Sequence, residues 1–171
     1  MWDEIADAAA AESTLWAEAL LPRERQAREA VFSTLGPPVQ AVGLETIYEG
    51  YLLHYGRPRL FSPPDADAAL LLGDYLYAHG LVRVARGGDV GAVADLAELI
   101  SLCAQGRADG RDGDGAAWAA TSALLGRGAL DPARASLRLD GDASGLERLA
   151  RESVGDAVVD RALAAHARLV G

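Results

Sequence analysis

Residues 65–86, Asp-Ala-Asp-Ala-Ala-Leu-Leu-Leu-Gly-Asp-Tyr-Leu-Tyr-Ala-His-Gly-Leu-Val-Arg-Val-Ala-Arg, form the most apolar helix that the sequence predicts. The apolar residues recur at helical spacing, and strand-like alternation is absent. Asp65 or Asp67 can cap the N-terminus of this helix, and Gly87 and Gly88 end it. The stretch therefore predicts a long helix with an extensive apolar surface.

Helical spacing continues on both sides of this helix and predicts an all-α fold: a single domain over residues 1–171, built as a bundle of about six to eight helices. The other predicted helices cover residues 2–20, 22–35, 38–55, 89–105, 115–126, 145–153 and 156–170. Residues 130–141 are ambiguous, because Leu137 to Leu139 alternate like a strand while Asp131-Pro132 resembles a helix start. Residues 106–115 hold four glycines and three aspartates and predict a flexible loop.

The composition limits the classes of protein to which this chain can belong. A chain of 171 residues with 50% hydrophobic residues can bury one substantial core. The 25 acidic residues outnumber the 16 basic ones, and the net charge of -9 disfavours nucleic acid and anionic membranes as partners. The single cysteine, Cys103, cannot form an internal disulfide or a zinc knuckle. With neither a signal sequence nor a membrane span predicted, we expect a cytoplasmic protein.

Asp74 is the most informative charge in the predicted helices. Leu70, Asp74, Tyr77 and Leu81 share one helical stripe, so we expect the carboxylate to face apolar neighbours. A buried carboxylate must be paired, hydrogen-bonded or protonated. It would either face a ligand or metal inside the bundle, or be a structural aspartate satisfied by an arginine or a backbone amide.

Two tyrosines and two arginines add further candidates. Tyr48 and Tyr51 lie on one seam of the helix over 38–55, where buried hydroxyls would need partners. Arg57 and Arg59 flank a proline in the following loop and could together hold a phosphate or a carboxylate. The alternatives are a solvated turn or a partner for Asp74.

Motifs for metal binding and catalysis are missing. The aspartates of residues 106–115 offer oxygen ligands, but the glutamate that closes an EF-hand loop is absent. The three histidines form no HExxH motif, and Cys103 lies in an apolar helix, where a thiol is normally inert. We therefore predict no catalytic residue and no metal site.

Residues 70–89 and 93–100 resemble the middle of the trans-isoprenyl diphosphate synthases, the polyprenyl synthetase family. In that family an apolar run enters a Gly-Asp pair, matched here by Gly73 and Asp74, and a glycine break with an acidic cap precedes the next helix. Residues 116–130 faintly resemble the following helical segment. The sequence Gly-Arg-Pro-Arg at 56–59 partly matches the family's basic diphosphate site, which implies diphosphate binding by Arg57 and Arg59.

The chain also departs from the family. Members are longer and carry two aspartate-rich motifs, whose carboxylates hold magnesium against the diphosphate; neither motif occurs here. Without them the developing negative charge has no counter-ion. The resemblance thus implies an isoprenoid-synthase-like fold without activity of its own, acting as a binding or assembly module. Its expected partner is a second copy of the chain or a related synthase subunit.

Two alternatives stay open. The first is a small enzyme or carrier with an apolar pocket for an isoprenoid ligand or a similar lipid phosphate; only this alternative requires magnesium. Its pocket would use Tyr48, Tyr51, Asp74 and Tyr77, with Arg57 and Arg59 at the phosphate. The second is an unrelated helical bundle that shares only general helix packing with the family.

Overall fold

The computed structural model describes residues 1–170 and confirms the all-α class. Nine α-helices form in this part of the chain. They are α1 (Trp2–Glu12), α2 (Thr14–Glu18), α3 (Ala41–Tyr55), α4 (Ala66–Ala85), α5 (Val90–Ala108), α6 (Asp114–Ala123), α7 (Asp131–Asp140), α8 (Ser144–Val154) and α9 (Asp156–Val170). Residues 1–170 contain no strand, only one isolated antiparallel bridge between Leu20 and Phe61.

Helices α3 and α4 form an antiparallel pair whose contact is made by glycines. Gly43 of α3 faces Gly80 of α4, and Gly50 faces Gly73, so each helix places two glycines seven residues apart on the shared side. A Cβ atom on Gly50 would lie 2.9 Å from the carbonyl oxygen of Gly73. The missing side chains therefore let the two backbones approach closely.

The remaining helices pack around this pair in two apolar clusters. The larger cluster joins α3 to α5, α6, α8 and α9 and contains Phe32, Tyr48, Tyr51 and Trp118. The smaller cluster joins α1 and α2 to Leu60, Phe61 and the α1-facing parts of α3 and α4. Both helices of the central pair therefore contribute to a continuous interior.

The helix predicted for residues 22–35 is wrong. Only Arg23–Arg25 forms a short 3-10 turn, and residues 26–30 have no helical structure. The amides of Val31 and Ser33 donate to the carboxylate of Glu45, and the Ala27 amide donates to a carbonyl oxygen of the loop after α3. These distant acceptors replace the hydrogen bonds that a helix would make.

Other boundaries differ more modestly. The predicted first helix is interrupted at Ser13, whose backbone is extended and whose hydroxyl accepts from the Leu15 amide. Residues 131–140 are helical, and Arg134 in this helix forms a buried ion pair with Asp95 of α5 at 2.9 Å. Helix α5 continues to Ala108, so only residues 109–113 lie between α5 and α6. None of the helices within residues 1–170 has the length and hydropathy of a membrane span.

Candidate functional site

Arg59 lies in the loop after α3 and is the centre of a buried ion triad. Its side chain is 1% exposed; Nη1 lies 2.6 Å from Oε2 of Glu45 and Nε lies 3.0 Å from Oε2 of Glu49. Both glutamates are fully buried on α3. Burial opposes the charged guanidinium, but the two carboxylates outweigh it and raise the pKa of Arg59 above its ordinary value.

The second oxygen of each glutamate binds backbone amides. Glu45 Oε1 accepts from Val31 at 3.0 Å and from the Ser33 amide, and Glu49 Oε1 accepts from the amides of Arg59 and Leu60 at 2.7 Å each. The carboxylates therefore hold two non-helical segments against α3. The triad, like most buried ionic groups in proteins, has nearly all of its hydrogen-bonding capacity satisfied within the fold.

The two arginines expected to form one anion-binding fork are separated. Arg57 is exposed, and its guanidinium donates to the carbonyl oxygen of Arg168 near the end of α9. Arg59 is enclosed by its glutamates and lies between the rings of Trp2 and Tyr48, 4.9 Å from each centroid. The pair does not present two free guanidinium groups on one surface.

Asp74 does not face the interior, so that prediction is wrong. Its side chain is 66% exposed, and Oδ1 lies 3.3 Å from Nε2 of His54. Helix α4 buries Leu72, Leu76 and Val84 instead, because the glycine contact with α3 fixes which face turns inward. The stripe that contains Asp74 lies at the outer border of the helix, so the carboxylate requires no buried counter-ion.

The tyrosine hydroxyls do have partners, as the sequence predicts. Tyr48 Oη lies 2.9 Å from Nδ1 of His166, and Tyr51 donates to Oδ2 of Asp114. Arg107 donates to the same Asp114 oxygen through Nε at 2.8 Å, and His166 Nε2 lies 3.5 Å from Oδ1. These five residues form a polar network that connects α3, α5, α6 and α9.

Proton affinities in this network follow from burial and hydrogen bonding. Burial raises the pKa of Tyr48 and of Tyr51 well above the ordinary value, so both remain protonated. Burial also acts to raise the pKa of Asp114. The hydrogen bonds from His166 and Tyr51, together with the charges of His166 and Arg107, reverse this effect and hold the pKa of Asp114 well below its usual range. The network thus contains an ionised aspartate between donors, which is a stable structural arrangement.

Tyr77 lies beside His54, the neighbour of Asp74, at the margin of the larger cluster. Its ring stacks on that of His54, with centroids 5.1 Å apart, and it is only partly buried. Tyr48 lies in an aromatic cluster, 5.1 Å from Phe32 and 5.0 Å from Trp118 between ring centroids. Of the four residues assigned to one pocket, Tyr48 and Tyr51 therefore lie in the core, Asp74 lies at the surface, and Tyr77 lies on the side of α4.

A recess between α5, α6 and α7 is a site that the sequence does not reveal. Its volume is about 370 Å³, including the space open to solvent. The charged groups that line it are Arg107, Arg111 and Arg138 with Asp109, Asp112 and Asp114. The arginines already bind protein acceptors: Arg111 donates to the carbonyl oxygen of Arg138 at 2.7 Å, and Arg138 pairs with Glu98. Cys103 lies at its inner end, where burial raises the pKa of the thiol and keeps it protonated.

Magnesium bound to a diphosphate needs several carboxylates around one point. Within residues 1–170 no three histidine, cysteine, aspartate or glutamate side chains are grouped so as to hold a metal ion. The sequence also lacks both aspartate-rich motifs. The residues present therefore do not fit the magnesium site that the family resemblance implies.

Comparison with known proteins identifies no relative of this chain. The chain matches no protein-family model, no curated protein and no solved structure. The resemblance to polyprenyl synthetases therefore stays a prediction from residues 70–130, and function is argued from the geometry.

Two partly buried histidines, His54 and His79, predict a stability change with pH. Burial lowers the pKa of His54, partly opposed by Asp74, and burial together with the charges of Arg83 and Arg86 lowers the pKa of His79. Below the ordinary histidine pKa of about 6.5, the unfolded state therefore binds more protons than the folded state. We expect the free energy of unfolding, measured by urea denaturation, to fall as the pH is lowered from 7.5 to about 5.5.

The control is the double variant His54→Gln with His79→Gln. It should lose much of this pH dependence, because both groups with a lowered pKa are removed. An equal decrease in wild type and variant would show that other groups cause the change.

Proposed function

We propose that this chain is a helical assembly module, a catalytically degenerate relative of the polyprenyl synthetases that pairs with a second copy of itself and turns over no prenyl substrate. The observation that carries the proposal is the position of Arg59. Arg59, one of the two arginines that the resemblance assigns to diphosphate binding, is neutralised by Glu45 and Glu49 inside the fold. Arg57 alone remains at the surface.

The filled interior supports the same proposal. A carrier for a prenyl chain needs an apolar cavity that buries most of the ligand. Here Phe32, Tyr48 and Trp118 occupy the centre of the larger cluster at less than 2% exposure, with centroid separations of 5.0 to 5.6 Å. A ligand of that size would have to displace these rings.

Exposed aliphatic side chains on α4 support the self-association of the chain. Leu70, Leu71 and Val82 of α4 are 52%, 56% and 51% exposed, although α4 is otherwise the central partner of α3. Neighbouring exposed apolar residues on one helix are typical of interaction surfaces.

Calorimetry and sedimentation test the proposal together. We expect titration of farnesyl diphosphate and magnesium into the purified chain to give no saturable heat, and sedimentation equilibrium to show a dimer. Saturable heat from a monomeric chain would contradict the proposal and favour the carrier. A monomer that gives no heat would also contradict it and favour the unrelated bundle.

A further inference from the structure

Helix α4 is covered on only part of its circumference. Leu72, Leu76 and Val84 are buried against α3, and on an adjoining side Tyr75 Oη contacts the Ala8 carbonyl oxygen of α1. The opposite side is exposed over its whole length. We call it the outer face of α4, formed by Asp67, Leu71, Asp74, Ala78, Val82 and the helix-terminal residue Arg86.

The outer face has opposite charges at its two ends. Asp67 lies in the first turn of α4, and Arg86 follows the last turn. Neither forms an ion pair within the part of the chain that the structure describes. Between them lie the exposed Leu71 and Val82 and the small Ala78. The face is therefore acidic at one end and basic at the other, and Asp74 adds a second exposed carboxylate among the apolar side chains between them.

We propose that the outer face of α4 binds the same face of a second copy of this chain, with the two helices antiparallel. This inference rests on the proposed function and names its interface. An antiparallel pair brings the acidic end of each helix to the basic end of the other. A parallel pair would place like charges together at both ends, which is unfavourable.

The spacing of the residues defines one register. When Asp74 lies opposite Ala78 of the second copy, the face residues closest to alignment are Leu71 with Val82 and Asp67 with Arg86, each pair offset by one residue. Because the arrangement has two-fold symmetry, each of these contacts occurs twice. Ala78 allows the helix axes to approach closely at the centre, and the two apolar pairs flank this point. Each Asp74 keeps its neighbour His54 in its own copy, 3.3 Å away.

The first test changes the apolar part of the face. Leu71→Glu places a carboxylate at an apolar contact, and we expect the dissociation constant from sedimentation equilibrium to rise at least tenfold. The matched control is Leu139→Glu on α7, because Leu139 is also exposed, at 74%, and lies on another helix. This control should remain as dimeric as the wild type. Circular dichroism and urea unfolding establish that both variants are folded.

The second test changes the charges at the ends. Asp67→Arg and Arg86→Asp should each weaken the dimer, since each creates two like-charge contacts. The double variant restores both opposite-charge contacts and should regain most of the affinity, although it contains both substitutions. No effect of the single variants, or no recovery in the double variant, would overturn the antiparallel register.

The two proposals fail in different ways. A wild-type dimer that is unaffected by Leu71→Glu would overturn the α4 interface and leave the assembly function in place. A wild-type chain that is monomeric at high micromolar concentration would overturn both.

Discussion

Arg59→Ala is expected to lower the free energy of unfolding by about 3 to 5 kcal/mol, which is the usual cost of removing one partner from a buried ion pair. The substitution leaves the carboxylates of Glu45 and Glu49 fully buried without their counter-ion. It also removes the guanidinium that lies between the rings of Trp2 and Tyr48. Urea denaturation followed by circular dichroism measures the loss.

Arg57→Ala is the matched control. Arg57 is exposed, and its guanidinium donates to a backbone carbonyl oxygen at the surface, so we expect a change within about 0.5 kcal/mol. Glu49→Gln is a milder variant in case Arg59→Ala does not fold. It keeps the shape of the side chain and should cost about 1 to 3 kcal/mol. Equal stability of the two arginine variants would show that the triad does not support the fold.

Gly50→Ala and Gly80→Ala are each expected to destabilise the protein by about 1 to 3 kcal/mol, the usual cost of overpacking a well-packed core. A Cβ atom at residue 50 would lie 2.9 Å from the carbonyl oxygen of Gly73, and one at residue 80 would lie 3.1 Å from that of Gly43. These contacts involve backbone atoms, so relief requires α3 and α4 to move apart. Thermal or urea unfolding measures the effect.

Gly106→Ala provides a control with the opposite sign. Gly106 lies inside α5, and the nearest atom to its added Cβ is 3.8 Å away, which is an ordinary contact. Removing a glycine from a helix interior should stabilise the protein by about 0.5 to 1 kcal/mol. If Gly50→Ala and Gly106→Ala both increased the stability, the close approach of α3 and α4 would be refuted.

The sequence predicts helices well where local spacing and caps agree. The helix of residues 65–86 and those ending the chain were predicted close to their observed bounds, because their apolar periodicity and flanking glycines act locally. The helix predicted for residues 22–35 is not formed, because the amide of Ala27 donates to the Arg59 carbonyl oxygen and the amides of Val31 and Ser33 donate to Glu45. That carboxylate is brought into place only by the folded α3, so no local pattern indicates the outcome.

The glycine spacing in the sequence indicates the orientation of α4 better than its apolar stripe does. Leu70, Tyr77 and Leu81 favour an inward-facing Asp74, yet Gly73 and Gly80 lie seven residues apart on α4, as Gly43 and Gly50 do on α3. Matching glycines in two neighbouring helices indicate the side on which the helices touch. This reading places Asp74 away from α3, as the structure has it.

Part of the ion triad is predictable from the sequence. Glu45 and Glu49 are four residues apart, so they share one side of α3. Their burial was not predictable, because it depends on Arg59 turning back from the following loop. The recess beside Asp114 is lined by α5, α6, α7 and the loop between α5 and α6, so the Gly/Asp pattern of residues 106–115 indicates only part of its lining.

Native mass spectrometry of the purified chain reports the assembly state and any retained ligand in one spectrum. We expect a species with twice the mass of the chain and no added mass from a prenyl phosphate or other lipid. A monomer that carries a co-purified prenyl phosphate would contradict the assembly function and would return Arg57 and the aromatic cluster to consideration as a ligand site.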